Sequence, residues 1–286
     1  MTGAHPAAGL IDDPQLLADC EAAAAPFAVS PTVHAHDFIF NYFLANAGLP
    51  QAQAVQGYFA SGRGSADRVA ALIAPLGLPE TPRVLEFASG YGCVTRHLAG
   101  VFPTASIVAS DIDPAMLDLV RERMGVEVAM SHSVPEQFDP GGSFDLIFAL
   151  SFFSHMPQAT YARWLARLSA LLRPAGALLF TAHGHRSAPL IKLDAGADEG
   201  FGWDANGEHP TLPGSEYGLT VSPFEFVWPR LQALGDLRLV RFEEGAWWGH
   251  QDAYLLLKTS RRRPPSMRDW LRAWRERRAP AAPPPG

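Results

Sequence analysis

The stretch Val84-Leu85-Glu86-Phe87-Ala88-Ser89-Gly90-Tyr91-Gly92, running straight on into residues 93–98, decides the fold. An apolar strand, a glycine turn and the start of a helix follow one another without a gap. That order presents backbone N–H groups to a ligand at the carboxyl end of a strand. Gly90 and Gly92 let the backbone turn tightly and approach whatever binds there. The acidic Glu86 closes the strand, and no third glycine stands in the dinucleotide register, because Gly90-x-Gly92-x-x is followed by Thr95. On its own such a loop is equally an ordinary strand-to-helix turn.

The next apolar run, residues 105–110, ends in Asp111 and then Ile112-Asp113-Pro114. Asp111 follows Gly90 by 21 positions, the spacing at which a second strand delivers a carboxylate to a ribose diol; the plain alternative is an Asp helix cap. A helix over 114–124, a strand over 126–130 and the loop Ser131-His132-Ser133 come next. Residues 144–150, Phe-Asp-Leu-Ile-Phe-Ala-Leu, form a near-continuous apolar run suited to a central parallel strand. It opens into Ser151-Phe152-Phe153-Ser154-His155-Met156-Pro157. The helix over 158–172 carries Trp164, Leu165, Leu168 and Leu171 at core spacing. Arg173-Pro174-Ala175-Gly176 turns the chain into a fifth strand over 177–181.

This series, over about residues 80–185, resembles the class I S-adenosylmethionine (SAM)-dependent methyltransferases. The resemblance implies an α/β, Rossmann-like sheet, mostly parallel with its last strand antiparallel. It implies SAM as cofactor and S-adenosylhomocysteine as product. The cofactor positions that follow are Glu86, Ala88, Ser89, Gly90 and Gly92 in the loop, Asp111 and Ile112 at the ribose, Ser131 and His132 near the adenine, and Leu150 and Ser151 after the fourth strand. The sequence departs from the pattern twice: many relatives place an Asp near His132, and Ala88 stands where the family usually has its first glycine. If position 88 requires φ > 0, the alanine costs roughly 1 kcal/mol. The segments Leu150-Ser-x-x-Ser-His155, Thr181-Ala-His-Gly184 and Gly249-His-Gln-Asp252 look like a bacterial subgroup linked to glycans and other secondary metabolites.

The implied reaction is direct displacement at the sulfonium methyl group, so the protein must hold the acceptor in line at about 3–3.5 Å and exclude water. A neutral hydroxyl also needs a base near its working pH, which favours histidine. The candidates are His155, His183 and His250, in that order, each with the alternative of a hydrogen-bonded structural histidine. The acceptor expected is a small molecule, through a hydroxyl of a sugar or secondary metabolite. An NAD-dependent Rossmann oxidoreductase is the competing enzyme, disfavoured by the missing third glycine and by Glu86. A non-catalytic SAM-fold binding protein is the other alternative, kept open by Ala88. No Asn/Asp-Pro-Pro-Tyr run follows the fourth strand, neither cysteine lies in a Pro-Cys context, and no zinc-ligand pattern is present, so no metal site is expected.

The rest of the chain adds to this core. Its 286 residues, 48% hydrophobic and 18% charged, accommodate one large domain with additions. Helices over 14–25 and 32–49, one from 51 that stops near Gly62-Arg63-Gly64, and one over 65–76 make an N-terminal helical cap, 1–78. Tyr58 and Ser61, in the break, could close over the cofactor. The methyltransferase unit spans 79–260. Within it, 186–221 is an insertion with Phe201, Trp203, His209 and Tyr217, read as a substrate lid. A helix over 223–234 and strands over 237–242 and 253–258 complete the unit. Their turn carries Glu243, Glu244, Trp247, Trp248, His250 and Asp252. The substrate contacts expected are therefore Tyr58, Trp203, Tyr217, Trp247 and Trp248, the paired tryptophans having the alternative of covering a sheet edge.

Residues 261–286 hold eight arginines against Asp269 and Glu276, a net of +6, so the remainder carries −12 within the total of −6. They read as a flexible basic, proline-rich tail. An acidic body argues against a nucleic-acid groove. Cys20 and Cys93 make no disulfide framework, and no apolar run is long enough to span a bilayer, so a cytoplasmic protein is expected.

Overall fold

The computed structural model describes residues 9–45, 48–196, 200–206 and 212–259; His209 and the basic segment 261–286 lie outside the described residues. Short β-rich runs alternate with amphipathic helices. The strands are β1 (Arg83–Phe87), β2 (Ser106–Asp111), β3 (Glu127–Met130), β4 (Phe144–Ala149) and β5 (Leu172–His183), then β6 (Gly202–Asp204) and β7 (Leu219–Val221), and finally β8 (Leu237–Trp247) and β9 (Gln251–Lys258). Seven of them form one sheet in the order β3-β2-β1-β4-β5-β9-β8, and β6 and β7 pair separately. Strands β1 to β5 run parallel, and β9 lies antiparallel between β5 and β8. The order reverses between β1 and β4, the switch point at which open α/β sheets bind ligands. Every residue of β4 is buried, as a central parallel strand requires.

Helices α1 (Pro14–Ala24), α2 (Phe38–Leu44) and α3 (Gln51–Ile73) precede the sheet. Helices α4 (Thr95–Val101), α5 (Pro114–Met124), α6 (Gln158–Leu171), α7 (Ala188–Ile191) and α8 (Phe224–Leu234) lie between strands. One face of the sheet packs Phe87, Phe180 and Tyr254 against Trp164 of α6 and Phe226 of α8. The other packs Val84, Leu146 and Trp247 against Ala66, Val69 and Ile73 of α3. The first half of α3, through Val55, Tyr58 and Phe59, belongs instead to a separate cluster with Cys20 and Phe40.

Several expected boundaries differ; the fifth strand, for one, already begins at Leu172 rather than 177. The glycines at 62 and 64 do not divide α3, which runs unbroken for 23 residues. Gly62 is there for contact: a Cβ at that position would sit 2.1 Å from the carbonyl oxygen of Cys93. The aromatic helix expected over 32–49 is confined to α2, begun by Asp37, whose carboxylate accepts from the Phe40 N–H at 3.0 Å. Strand β8 extends to Trp247, leaving only residues 248–250 as the turn. Among the described residues, no helix is long and apolar enough to cross a membrane.

Candidate functional site

The glycine loop and the end of β2 form one hydrogen-bonded unit. Ser89 N–H donates to the Ser110 carbonyl at 3.0 Å, and Gly90 N–H donates to Asp111 Oδ2 at 2.8 Å. The other oxygen, Oδ1, accepts from Ile112 N–H at 2.7 Å and Asp113 N–H at 3.2 Å. Asp111 therefore shapes both turns at the switch point. Ala88 stands at φ 60°, beside Gly90 at 56° and Gly92 at 78°, so the left-handed cost anticipated for the alanine is incurred. Gly92 is packed, since a Cβ there would meet Met124 Cε at 2.6 Å, whereas a Cβ on Gly90 would have nothing within 4 Å. That open side is where a ligand can approach the loop.

Glu86, next to last in β1, is buried with Oε2 unpaired, and the Ser89 hydroxyl is likewise buried without a partner. Burial pushes the Glu86 carboxyl up to about 8; the Thr95 hydroxyl pulls it down and the Asp111 charge raises it further. Two orphaned polar groups and a shared carboxylate fit a nucleoside ligand that carries an amino-acid portion. Ser131 N–H donates to the Asp111 carbonyl at 2.8 Å, and His132 Nδ1 accepts from Val134 N–H at 2.9 Å, which spends that nitrogen on its own loop. Across the loop, the His34 ring stacks on Tyr91 at 4.5 Å. Arg96 ties the Gly92 carbonyl to the carbonyls of Ser30 and Thr32 and to the Tyr58 hydroxyl.

The three candidate histidines, from three separate loops, form a row. Ring centroids are 6.4 Å apart for His155 and His183, and 5.6 Å apart for His183 and His250. His155 Nδ1 donates to the Gly218 carbonyl at 2.8 Å and His183 Nδ1 to the Thr220 carbonyl at 3.2 Å. Ser187 Oγ gives its proton to the His250 carbonyl, so it must accept from His250 Nδ1, at 3.0 Å. Each ring thus donates through Nδ1 and, in its neutral form, keeps its basic lone pair on Nε2. At His183 that lone pair is taken by the Gln251 side-chain amide at 3.2 Å. Burial, then the fields of His155 and His250, hold the His183 ring down at about 4. Burial also lowers His250. His183 is thus neutral near pH 7, with both ring nitrogens engaged.

Gln251 anchors this floor. Its amide also donates to Ser151 Oγ at 3.0 Å, and its oxygen accepts from Thr181 Oγ1 at 2.6 Å, while Ser151 N–H donates to Thr181 Oγ1 at 2.7 Å. Ser151, after Leu150, holds φ 60° within this network.

The expected substrate contacts divide. Tyr58 is fully buried inside α3, its hydroxyl donating to Asp37 at 2.7 Å, so it cannot close over a ligand; the break that would have freed it does not exist. Trp247 is core: its Nε1 donates to Ser65 at 3.3 Å and Arg68 lies 5.2 Å over its ring. Trp248, beside His250, is exposed at φ 49°. Tyr217 stacks on His155 at 4.5 Å and 8°. Trp203 packs behind Gly218, where a Cβ would meet its ring at 2.7 Å. Reading the sequence missed the parts played by Gln251, Ser187 and Gly218; Gln251 lies inside the quoted Gly249–Asp252 segment, which was its only signal. Among the described residues, no group of His, Cys, Asp and Glu is able to hold a metal ion.

Comparison with known proteins agrees with this geometry. Residues 84–176 match the family model described as a methyltransferase domain. The chain is 28% identical over 144 residues to a ubiquinone biosynthesis O-methyltransferase of Paramagnetospirillum magneticum, covering 50% of this chain and 55% of that protein. It is 32% identical over 122 residues to a trans-aconitate 2-methyltransferase of Variovorax paradoxus, covering 43% and 46%. The chain thus spans about half the length of the curated relatives it matches. Among solved structures, it shares its fold with a magnesium protoporphyrin IX methyltransferase of Synechocystis, at TM-score 0.53 and 14% identity, covering 86% of this chain and all of that one. An amino pentose methyltransferase from Micromonospora echinaspora, solved with SAM bound, has TM-score 0.51 and 20% identity, covering 75% and 99%.

Proposed function

We propose that the chain, whose residues 84–176 match a methyltransferase domain, is a class I SAM-dependent methyltransferase that methylates a small-molecule acceptor on a hydroxyl, as of a sugar or secondary metabolite. The observation that carries this reading is the joining of the Gly90 N–H to Asp111 at the switch point, next to a row of histidines with fixed protons. When bound, SAM supplies the electrophilic methyl group and leaves as S-adenosylhomocysteine. Glu86 and Ser89 face its amino-acid portion, Asp111 and Ile112 its ribose, Ser131 and His132 its base, and Leu150 and Ser151 flank it. His155 or His250 takes the proton from the acceptor hydroxyl at Nε2, and His183 with Gln251 keeps the row rigid. Residues 217–222 cross above these loops and exclude water.

A hydroxyl is favoured over an acid such as the trans-aconitate named for one relative, because the row is built of imidazoles, two of which, His183 and His250, are lowered by burial. The neighbouring guanidinium, Arg186, is occupied by Glu244 at 3.5 Å. Calorimetric titration with SAM, S-adenosylhomocysteine and NAD in parallel tests the assignment. Micromolar binding of both adenosyl ligands, with none of NAD, is expected; no adenosyl binding refutes it. A methyl-transfer screen of sugars against dicarboxylic acids then tests the acceptor class.

A further inference from the structure

The insertion returns to the sheet as a strap, residues 217–222, sewn to two loops. Gly218 N–H donates to the His155 carbonyl at 3.2 Å and Thr220 N–H to the Ser154 carbonyl at 2.9 Å. Thr220 Oγ1 donates to the Met156 carbonyl at 2.7 Å, and Ser222 N–H to the His183 carbonyl at 2.7 Å. His155 is held most completely. Its ring lies flat against Tyr217, its Nδ1–H is spent on Gly218, and its own carbonyl receives the Gly218 N–H. Gly218 is in turn hemmed in from behind, since a Cβ there would meet the Asp204 carbonyl at 2.3 Å as well as the Trp203 ring.

We propose that Tyr217 and Gly218 are positioning residues for His155, which hold its proton on Nδ1 and its ring in one plane. The proposal rests on the assignment of His155 made above. The insertion is then part of the catalytic alignment as well as a cover.

The test is ¹⁵N NMR of the His155 imidazole in the full chain, in wild type, Tyr217→Phe and Tyr217→Leu, with calorimetry of S-adenosylhomocysteine binding to each. In wild type the Nδ1–H tautomer is expected. Tyr217→Phe keeps the stack and hence the tautomer. Tyr217→Leu loses the stack and gives mixed tautomers, with ligand affinity unchanged. An unchanged tautomer in Tyr217→Leu overturns the positioning role. If wild type binds no S-adenosylhomocysteine, the cofactor assignment fails, while the tautomer comparison in ligand-free protein still decides the positioning role.

Discussion

Glu86→Gln should stabilise the ligand-free protein, and by an amount that depends on pH. The side chain is 4% exposed, one carboxylate oxygen lacks a partner, and burial raises it from an ordinary 4.5 to about 8. Between those values the folded chain keeps a proton that the unfolded chain has released. Stability is therefore lost as pH rises through this window, by about 1.4 kcal/mol per pH unit for a single group. Across the whole window the loss is at most roughly 4–5 kcal/mol. Glutamine carries no titrating proton. Its advantage over wild type should be small near pH 5, grow along that slope, and level off above pH 8. Urea denaturation of both proteins in half-unit pH steps, without cofactor, measures it. Two stability curves that run parallel from pH 5 to pH 8.5 would refute the reasoning. A second consequence concerns binding. If a cationic amine docks beside Glu86, S-adenosylhomocysteine binding at pH 7 releases a proton, seen as a heat that depends on the buffer, and Glu86→Gln abolishes it.

Asp111→Asn removes a charged acceptor from three backbone N–H groups, and at about 1.5–3 kcal/mol for a charge-assisted bond S-adenosylhomocysteine should bind roughly ten- to hundred-fold more weakly; equal calorimetric affinity would remove this residue from the cofactor site. His250→Ala should lower methyl transfer to any acceptor found and alter the acid limb of its pH profile, with ligand affinity unchanged; full turnover with an unaltered limb eliminates it as the base. His183→Ala should instead cost about 1–3 kcal/mol of stability, because it strands the Gln251 amide and the Thr220 carbonyl, as chemical denaturation will report. Gly62→Ala should destabilise by about 1–3 kcal/mol through overlap with the Cys93 carbonyl. Gly64→Ala, with nothing within 4 Å of the added atom, should gain up to about 1 kcal/mol of helix propensity; equal melting shifts in the two variants would contradict that contrast.

The sheet was legible because apolar runs such as Phe144–Ala149 announce buried strands, and because the glycine loop and Asp111 keep a spacing that a parallel crossover imposes. The site was legible only in part. His155, His183 and His250 could be singled out and put in that order, but the contacts that distinguish them could not be read. What separates them is a bond from Gln251 to His183, 68 positions away, and a carbonyl of Gly218, 63 positions from His155. Local pattern carries no trace of such partners. Tyr58 and Gly62 show the same limit from the other side. Glycines in a helical stretch read as a break, and only the contact with Cys93 reveals that the helix needs a missing side chain there.

The length of α3 bears on how such proteins can be recombined. At 1.5 Å per residue its 23 residues reach about 34 Å. Its first half completes the core shared with α1 and α2, and its second half shields β1 and β4. A crossover at residue 78 would hand the sheet a foreign second half in place of Ala66, Val69 and Ile73. One placed ahead of Gln51 would sever Arg96 from its carbonyls on Ser30 and Thr32. The region ahead of β1 is accordingly no interchangeable cassette: a chimera that borrows it must borrow its matching surface on the sheet as well.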